Sequence, residues 1–310
     1  MATKTEDTSQ GPMTRWVNGA ISNPEKVYRG LFYVALIFFG VTTLFPLYWL
    51  LVIALTPQNL IYQMPFWPRG FNPESFIQVF QQVPFHFYMF NSFVLATVTT
   101  IIVLLIASLA GYVFGRLTFP GRGPLMLIVL AISYFPPAAF FLPLYQLFAG
   151  QELLSVGGFA FEFPRLLNTP SALILPFSAL FLPLAIFILT TFYAQIPDGL
   201  EDAARVEGTT RLGALFRVIV PLSAPGVATA AVLTFIGVYN EFFFSYLMVD
   251  GEYQSWAPML WGLIKYQTQY RTLYNLMAAA SIIGVLPVAI LVIVAQEKIV
   301  SGLTAGALKE

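Results

Sequence analysis

Six long apolar stretches constrain this chain more than any other feature of its sequence. Each could cross about 30 Å of hydrocarbon, for which a helix needs about 20 apolar residues. Only 10% of the 310 residues are charged, against roughly one quarter in a soluble domain, so the chain could not cover a surface facing water. The sequence therefore predicts an all-α membrane protein with six transmembrane helices. They are Gly30–Leu55, Phe87–Leu109, Pro124–Phe148, Ser171–Tyr193, Pro225–Val249 and Asn275–Ala295.

The basic residues predict how the chain is oriented in the membrane. Eleven of the fifteen Lys and Arg residues fall on one side if the spans alternate, and cytoplasmic loops carry an excess of these residues. We therefore expect a cytoplasmic N-terminal segment (1–29), a six-span domain (30–298) and a cytoplasmic tail (299–310). The eleven are Lys4, Arg15, Lys26, Arg29, Arg116, Arg122, Arg205, Arg211, Arg217, Lys298 and Lys309.

Several kinds of chemistry lack the residues that they need. The chain has no cysteine, its single histidine (His86) has no assigned role, and no glycine-rich loop ends in Gly-Lys-Ser/Thr to hold nucleotide phosphates. Metal-ligand clusters and nucleophile triads are absent as well. We therefore predict no catalytic residue and no metal, cofactor or nucleic-acid site, and we expect any ATP hydrolysis on another polypeptide.

A short polar segment, residues 194–224, lies between the fourth and fifth apolar stretches. Asp198 and Glu201 have the spacing of an acidic capping box at a helix start. Glu201 and Arg205 are four residues apart and are predicted to pair on the exposed face of that helix. Gly208 is expected to end the helix in the left-handed conformation that glycine favours.

A second helix is predicted directly after Gly208. Thr209 or Thr210 would cap it, Pro221 would end it and Pro225 would open the next span. Its apolar stripe has the spacing i, i+3, i+4, i+7 and consists of Leu212, Leu215, Phe216 and Ile219. An apolar stripe on an exposed loop needs a covering partner, so the 194–224 segment is predicted to dock onto another protein.

Two other features stand out within the predicted spans. Ala107, Gly111 and Gly115 place small residues on one face of the second span, which permits close helix packing. Glu241, beside Asn240, is an acid within a span. It either faces the bundle as a helix–helix lock or a polar lining, or lies near enough to the outer boundary to stay wet.

The two longer outer loops are predicted to carry structure of their own. Leu153–Val156 and Phe159–Phe163 flank two glycines and are typical of a β-hairpin. The stretch Tyr266, Gln267, Thr268, Gln269, Tyr270 and Arg271 combines aromatic, amide and cationic groups. It could be a wetted interfacial belt, or it could contact a sugar or a protein.

The 194–224 segment resembles the cytoplasmic loop of binding-protein-dependent ABC transporter permeases. Their pattern is Glu-Ala-Ala, three residues, Gly, nine residues and Ile-x-Leu-Pro. Here it falls with unchanged spacing on Asp202-Ala203-Ala204, Gly208, Val218, Val220 and Pro221. Further matches are typical of the carbohydrate branch, the maltose-type second membrane subunit. They are Asn91-Ser92, Arg116–Gly121, Tyr239–Glu241 and Gly302–Ala307.

The resemblance implies an importer in the prokaryotic inner membrane. Its partners would be a second permease subunit, two ATPases that hold ATP and Mg, and an extracytoplasmic sugar-binding protein, here called the capture protein. The ATPase-coupling residues would be Glu201, Asp202, Ala203, Ala204, Glu207, Gly208, Arg211 and Pro221. The tail residues Gly302, Leu303, Thr304, Ala305 and Gly306 would reach toward the ATPases, and residues 266–271 would contact the capture protein.

Other readings of the sequence remain open. The same architecture could import another small solute, such as an amino acid, a polyamine or phosphate, although the C-terminal Leu-Thr-Ala-Gly-Ala argues against these. An ion-coupled secondary transporter would be expected to bury more ionisable groups than Glu241. A scaffold subunit of a membrane enzyme is a third alternative.

Overall fold

The fold is helical apart from one short hairpin. The computed structural model describes residues 11, 24–63, 65–150, 152–156, 159–162 and 164–305. Most of the predicted 1–29 segment and Gly306 lie outside these residues. The helices are, in chain order, α1 (Pro24–Leu55), α2 (Ser75–Gln82), α3 (Phe85–Arg116), α4 (Arg122–Ser133), α5 (Phe141–Phe148), α6 (Ser171–Tyr193), α7 (Asp198–Val206), α8 (Arg211–Leu222), α9 (Ala224–Tyr239), α10 (Phe243–Met248), α11 (Met259–Ile264) and α12 (Tyr274–Ala305).

Four of these helices are long and apolar enough to cross a membrane: α1, α3, α6 and α12. The fourth predicted span matches α6 at both ends. Helices α1 and α3 begin before Gly30 and Phe87, the predicted first residues of their spans, and α3 extends to Arg116. The total rises to six if each of two bent helix pairs counts as one span.

The third and fifth predicted spans are not continuous helices. The apolar stretch Pro124–Phe148 is divided at Pro136 and Pro137, and the two halves are bent by 86°. Consecutive prolines remove backbone donors and disfavour helical geometry in the preceding residue, which accounts for the break. The stretch Pro225–Val249 ends its first helix at Tyr239 and resumes as α10 at Phe243. A further bend of 84° joins α8 to α9.

The predicted hairpin is present. Strands β1 (Glu152–Val156) and β2 (Phe159–Glu162) pair antiparallel, with an irregularity between Glu152 and Leu154. It follows α5 and precedes α6, so it extends the connection between two membrane helices.

Helices α3 and α6 pack closely because small residues line their contact. A Cβ atom on Gly111 would lie 3.0 Å from the Cβ of Leu189 and 3.2 Å from the backbone nitrogen of Thr190. One on Gly115 would lie 3.1 Å from the carbonyl oxygen of Thr190. The prediction of a small-residue packing face on the second span is confirmed.

Two buried clusters give the bundle its core. One joins α2, α3, α6, α9 and α12 near the 266–271 loop and includes Phe85, Tyr88 and Tyr266. The other joins α3, α6, α9 and the 194–224 segment and includes Tyr193 and Ile219. In contrast, only 6% of the most apolar window of α1 is buried, so this helix presents most of its surface outward.

Replacing Gly111 with leucine should destabilise the protein, because the added side chain would separate α3 from α6. Forced overpacking of this kind costs about 1–3 kcal/mol. Gly40→Leu is the matched control, since a Cβ at Gly40 in α1 meets nothing within 4 Å. Thermal unfolding of the full chain in lipid nanodiscs should show a lowered Tm for Gly111→Leu alone. Equal Tm values for both variants would contradict the packing account.

Candidate functional site

The 194–224 segment folds as two helices joined by a glycine turn, as predicted. Gly208 has φ +91°, the left-handed region that glycine favours, and it directly follows the turn that ends α7. The Thr210 hydroxyl accepts a hydrogen bond of 3.1 Å from the backbone N–H of Gly213 and so caps α8. The ends of the two helices in this segment are therefore determined by residues next to them in the sequence.

Arg116, the last residue of α3, fastens the segment to the membrane bundle. Its guanidinium pairs with Glu201 at 2.9 Å and with Asp198 at 2.8 Å, and it donates to the carbonyl of Ile196 at 2.5 Å. The Tyr112 hydroxyl, one turn earlier in α3, donates to the other oxygen of Glu201 at 2.5 Å. The side chain of Arg116 is only 4% exposed. We call these residues the Arg116 anchor.

The anchor overturns two predictions about α7. Asp198 is not the N-cap, since Pro197 holds that position and makes no side-chain cap, so the capping box is wrong. Glu201 does not pair with Arg205 on an exposed face, because it is buried against α3. The exposed Arg205 instead lies 3.8 Å from Asp202. The buried guanidinium of Arg116 gives Glu201 a stronger partner than an exposed i,i+4 arginine would.

The anchor also sets the charge state of Glu201. Burial by itself raises the pKa of this carboxyl. The hydrogen bonds from Tyr112 and Arg116 and the positive charge of Arg116 outweigh burial and hold the pKa below its ordinary value. A lowered folded-state pKa means that this contribution to stability is present above the ordinary carboxyl pKa. It is lost as the pH falls through the folded value.

The predicted apolar stripe of α8 is divided between two surfaces. Leu215 and Ile219 are buried in the core with α3 and α6, whereas Leu212 and Phe216 are exposed. A π-helical turn at Leu215–Ile219 interrupts the α-helix, and Val220 N–H bonds to Leu215 C=O across it. The exposed apolar side chains Leu200, Val206, Leu212 and Phe216 are here together called the outer face of the segment, and Val206 is 89% exposed.

The eight predicted coupling residues also divide into buried and exposed positions. Glu201 is buried in the anchor and Ala204 is half-buried. The other six are exposed: Asp202, Ala203, Glu207, Gly208, Arg211 and Pro221. Sequence reasoning missed Tyr112 and Arg116 as partners of Glu201, and Arg116 as the partner of Asp198. A basic residue ending one span and two acids opening the polar helix were the available signal.

At the opposite end of α3, the 266–271 loop is only partly available for contact. Tyr266 is buried, and its hydroxyl donates to the carbonyl of Val79 at 2.8 Å, so it is not a contact residue. Burial raises its pKa above the ordinary tyrosine value. The remaining residues, 267–271, are exposed, and Tyr270 is 91% exposed.

The Glu241 carboxylate caps the start of α10, the helix that follows it. Its carboxylate accepts hydrogen bonds from the backbone N–H groups of Phe244 at 3.0 Å and Ser245 at 3.4 Å, at the start of α10. Asn240 is exposed and donates to the carbonyl of Ile236 within its own helix. Among the described residues, the hydrogen bonds of the Glu241 side chain go only to α10, the helix that follows it directly, so they do not support a lock between distant helices of the bundle. In the tail, α12 continues through Gly302, Leu303, Thr304 and Ala305.

No group of three or more His, Cys, Asp or Glu residues that could hold a metal ion occurs in the part of the chain that the structure describes. Of the acids in the 194–224 segment, Asp198 and Glu201 are paired with Arg116, and Glu201 also accepts a hydrogen bond from Tyr112. The 194–224 segment is therefore fixed to the membrane bundle on one side and exposed on the other.

The sequence pattern of one protein family matches residues 104–304, which include this segment. That family is described as binding-protein-dependent transport system inner membrane component. The chain belongs to this family. The match covers more than half of the chain, and the resemblance stated from the 194–224 motif is confirmed. The chain is therefore a permease component of the inner membrane and crosses it more than once.

Relatives within the family are similar along most of their length. The sulfoquinovosyl glycerol permease protein SmoH of Agrobacterium fabrum is 35% identical over 87% of this chain and 90% of its own. The trehalose/maltose permease protein MalG of Thermococcus litoralis is 32% identical over 92% of this chain and 98% of its own.

Solved structures share the fold. A bacterial ABC transporter that imports alginate has a chain that superposes with a TM-score of 0.69 at 19% identity. That match covers 88% of this chain and 97% of the other. At this identity the likeness shows the arrangement of helices alone.

Replacing Arg116 with methionine should strongly destabilise the 194–224 segment, because it leaves Glu201 buried without its cation. Removing one partner of a buried pair costs about 3–5 kcal/mol. Arg205→Met is the matched control, since its 3.8 Å pair is exposed and such pairs contribute about 0.2–1 kcal/mol. Thermal unfolding in nanodiscs measures both.

The double variant Arg116→Met/Glu201→Leu should recover part of the loss, since it removes the unpaired charge. A loss of Tm no larger for Arg116→Met than for Arg205→Met would show that the anchor contributes nothing. A double variant no more stable than Arg116→Met alone would show that the two charges are not coupled.

Proposed function

We propose that this chain is one of two membrane subunits of an ATP-driven importer of a sugar or sugar derivative. It would cross the membrane six times with both termini in the cytoplasm, as the distribution of its basic residues predicts. Membership of a binding-protein-dependent family supports a capture protein as a partner. The second solved relative, with a TM-score of 0.63, is an alginate transporter in complex with an alginate pentasaccharide-bound periplasmic protein.

The names of the relatives support a carbohydrate as the transported solute. Sulfoquinovosyl glycerol, trehalose and maltose are each named for a permease at least 31% identical to this chain over most of its length. The names of these three relatives therefore favour a sugar over an amino acid, a polyamine or phosphate as the transported solute.

The coupling role rests on one observation, the two-sided construction of the 194–224 segment. Its inner side is fixed to α3 by the Arg116 anchor, while its outer face leaves Leu200, Val206, Leu212 and Phe216 exposed. Apolar residues grouped on a polar segment mark a protein contact. We therefore assign the outer face to an ATPase subunit, which would hold ATP and Mg and carry out hydrolysis. The exposed Asp202, Glu207 and Arg211 would lie at the rim of the contact.

We assign the second permease subunit, the capture protein and the tail contact with the ATPases to other surfaces of the chain. The outward-facing α1 would be covered by lipid and by the second permease subunit, since an apolar helix surface needs an apolar environment. The exposed residues 267–271, on the side opposite the 194–224 segment, would contact the capture protein. The end of α12 and the tail beyond it would reach toward the ATPases.

Val206→Asp tests the ATPase contact most cleanly. Val206 is 89% exposed, so the change removes no packing within the chain but places a charge at an apolar contact. Gly208 is less suitable, because its φ of +91° strains any larger residue whatever docks there. We expect Val206→Asp to lower co-purification with the ATPase and sugar uptake at least tenfold.

The matched control is Val206→Ile, which keeps the surface apolar and should behave as wild type. Unchanged Tm values for both variants would show that the fold is intact. If Val206→Asp associated with the ATPase and supported uptake like wild type, the outer face would not be the ATPase contact.

A further inference from the structure

A polar cleft lies at the end of the molecule opposite the 194–224 segment. The short 3-10 helix Gln58–Gln63, which follows α1, forms one wall, and residues 267–272 form the other. The cleft has a volume of about 530 Å³, within the range of small-molecule sites.

One hydrogen bond between the walls and others within the 267–272 wall hold the cleft in place. The Gln58 side chain donates from Nε2 to the carbonyl of Thr272 at 2.8 Å. Across the turn of the loop, Thr268 N–H donates to the carbonyl of Arg271 at 2.8 Å, and Gln267 bridges to Thr272. A site whose walls are already ordered loses little entropy when a ligand binds.

The lining is suited to a hydroxyl-rich ligand. Tyr62 and Tyr270 are 81% and 91% exposed, so each offers a ring face together with a hydroxyl group. Asn59 and Gln269 add amide groups that can both donate and accept hydrogen bonds. Sugar rings present this combination of apolar C–H faces and hydroxyl edges.

The cleft carries a positive charge, which favours ligands with an anionic group. Arg271 lines it, and none of its lining residues is acidic. Among the residues that the structure describes, no carboxylate lies within ion-pair distance of Arg271. By contrast, Lys265 at the same end is paired with Glu252 at 2.6 Å. Arg271 therefore leaves a planar, five-donor cation free for an anionic group.

We propose that this cleft is a saccharide subsite that prefers an acidic sugar, with Arg271 pairing to its carboxylate or sulfonate and Tyr62 and Tyr270 flanking the ring. The inference rests on the proposed transport of a sugar and adds that this chain itself takes part in recognising it. An acidic side chain of the capture protein could also reach Arg271. However, one such side chain would not occupy a cleft of about 530 Å³, so the saccharide is favoured.

The test compares two ligands that differ in one charged group. Sulfoquinovosyl glycerol carries a sulfonate where glucosyl glycerol carries a hydroxyl. Each is titrated by ligand-observed NMR into the full chain in nanodiscs of uncharged lipid. We expect the sulfonate to bind about threefold to tenfold more tightly, as for a charge-assisted pair at a partly open site. The preference should shrink at high salt.

Arg271→Gln should abolish the preference for the sulfonate, and Arg271→Lys should keep part of it. The matched control is Lys265→Gln, which removes a cation at the same end that is already paired, and it should leave the preference unchanged. The side chain of Arg271 makes no described bond within the chain, so neither Arg271 variant should alter the Tm.

Three results would overturn the proposal: no binding of either ligand, equal binding of both, or a sulfonate preference that survives in Arg271→Gln. A loss of capture-protein association in Arg271→Gln without any change in the saccharide titration would assign Arg271 to a protein contact instead. Because the titration needs no ATPase, its failure is distinct from a failure of the Val206→Asp test.

Discussion

The arrangement at the end of the bundle that carries the 194–224 segment depends on one buried guanidinium. Arg116 ends a membrane helix and receives two carboxylates, Asp198 and Glu201, from a helix that otherwise lies on the surface. Breaking such a pair is costly because the remaining charge is left without water or partner. Because of the anchor, the start of the 194–224 segment is expected to move together with α3. Through the glycine-lined contact at Gly111, α3 is in turn closely packed against α6.

This constraint explains why the segment has two different sides. Leu215 and Ile219 join the core, and Glu201 joins the anchor, so the inner side is closed within the chain. The outer face, with Val206 and Leu212, has no such partner among the described residues. A joint that is rigid toward the membrane helices and open toward a second protein can transmit a displacement in either direction. That is the property which the proposed coupling to separate ATPases requires.

The features that the sequence predicted correctly are those decided by local chemistry. The glycine turn at Gly208, the cap at Thr210 and the hairpin each depend on residues close in the chain, and the small-residue face at Gly111 is marked by a local four-residue spacing. The errors concern partners far away. Glu201 bonds to residues 85 and 89 positions earlier, and Tyr266 to a carbonyl 187 positions away, so neither partner can be read from spacing. The break at Asn240–Phe242 was missed because hydropathy is insensitive to a helix that stops and restarts.

The central claim is that α3 and the 194–224 segment move as one body during transport. The chain has no native cysteine, so in an assembly with cysteine-free partner subunits, spin labels at Val113→Cys on α3 and Gly199→Cys on α7 would report this distance alone. Val113 is 40% exposed, and a side chain at Gly199 meets nothing within 4 Å, so both sites accept a label. Double electron–electron resonance on the assembled transporter should give one narrow distance, unchanged between nucleotide-free and ATP-bound states. A distance that shifts or splits on ATP binding would show that the anchor opens, and would contradict the account.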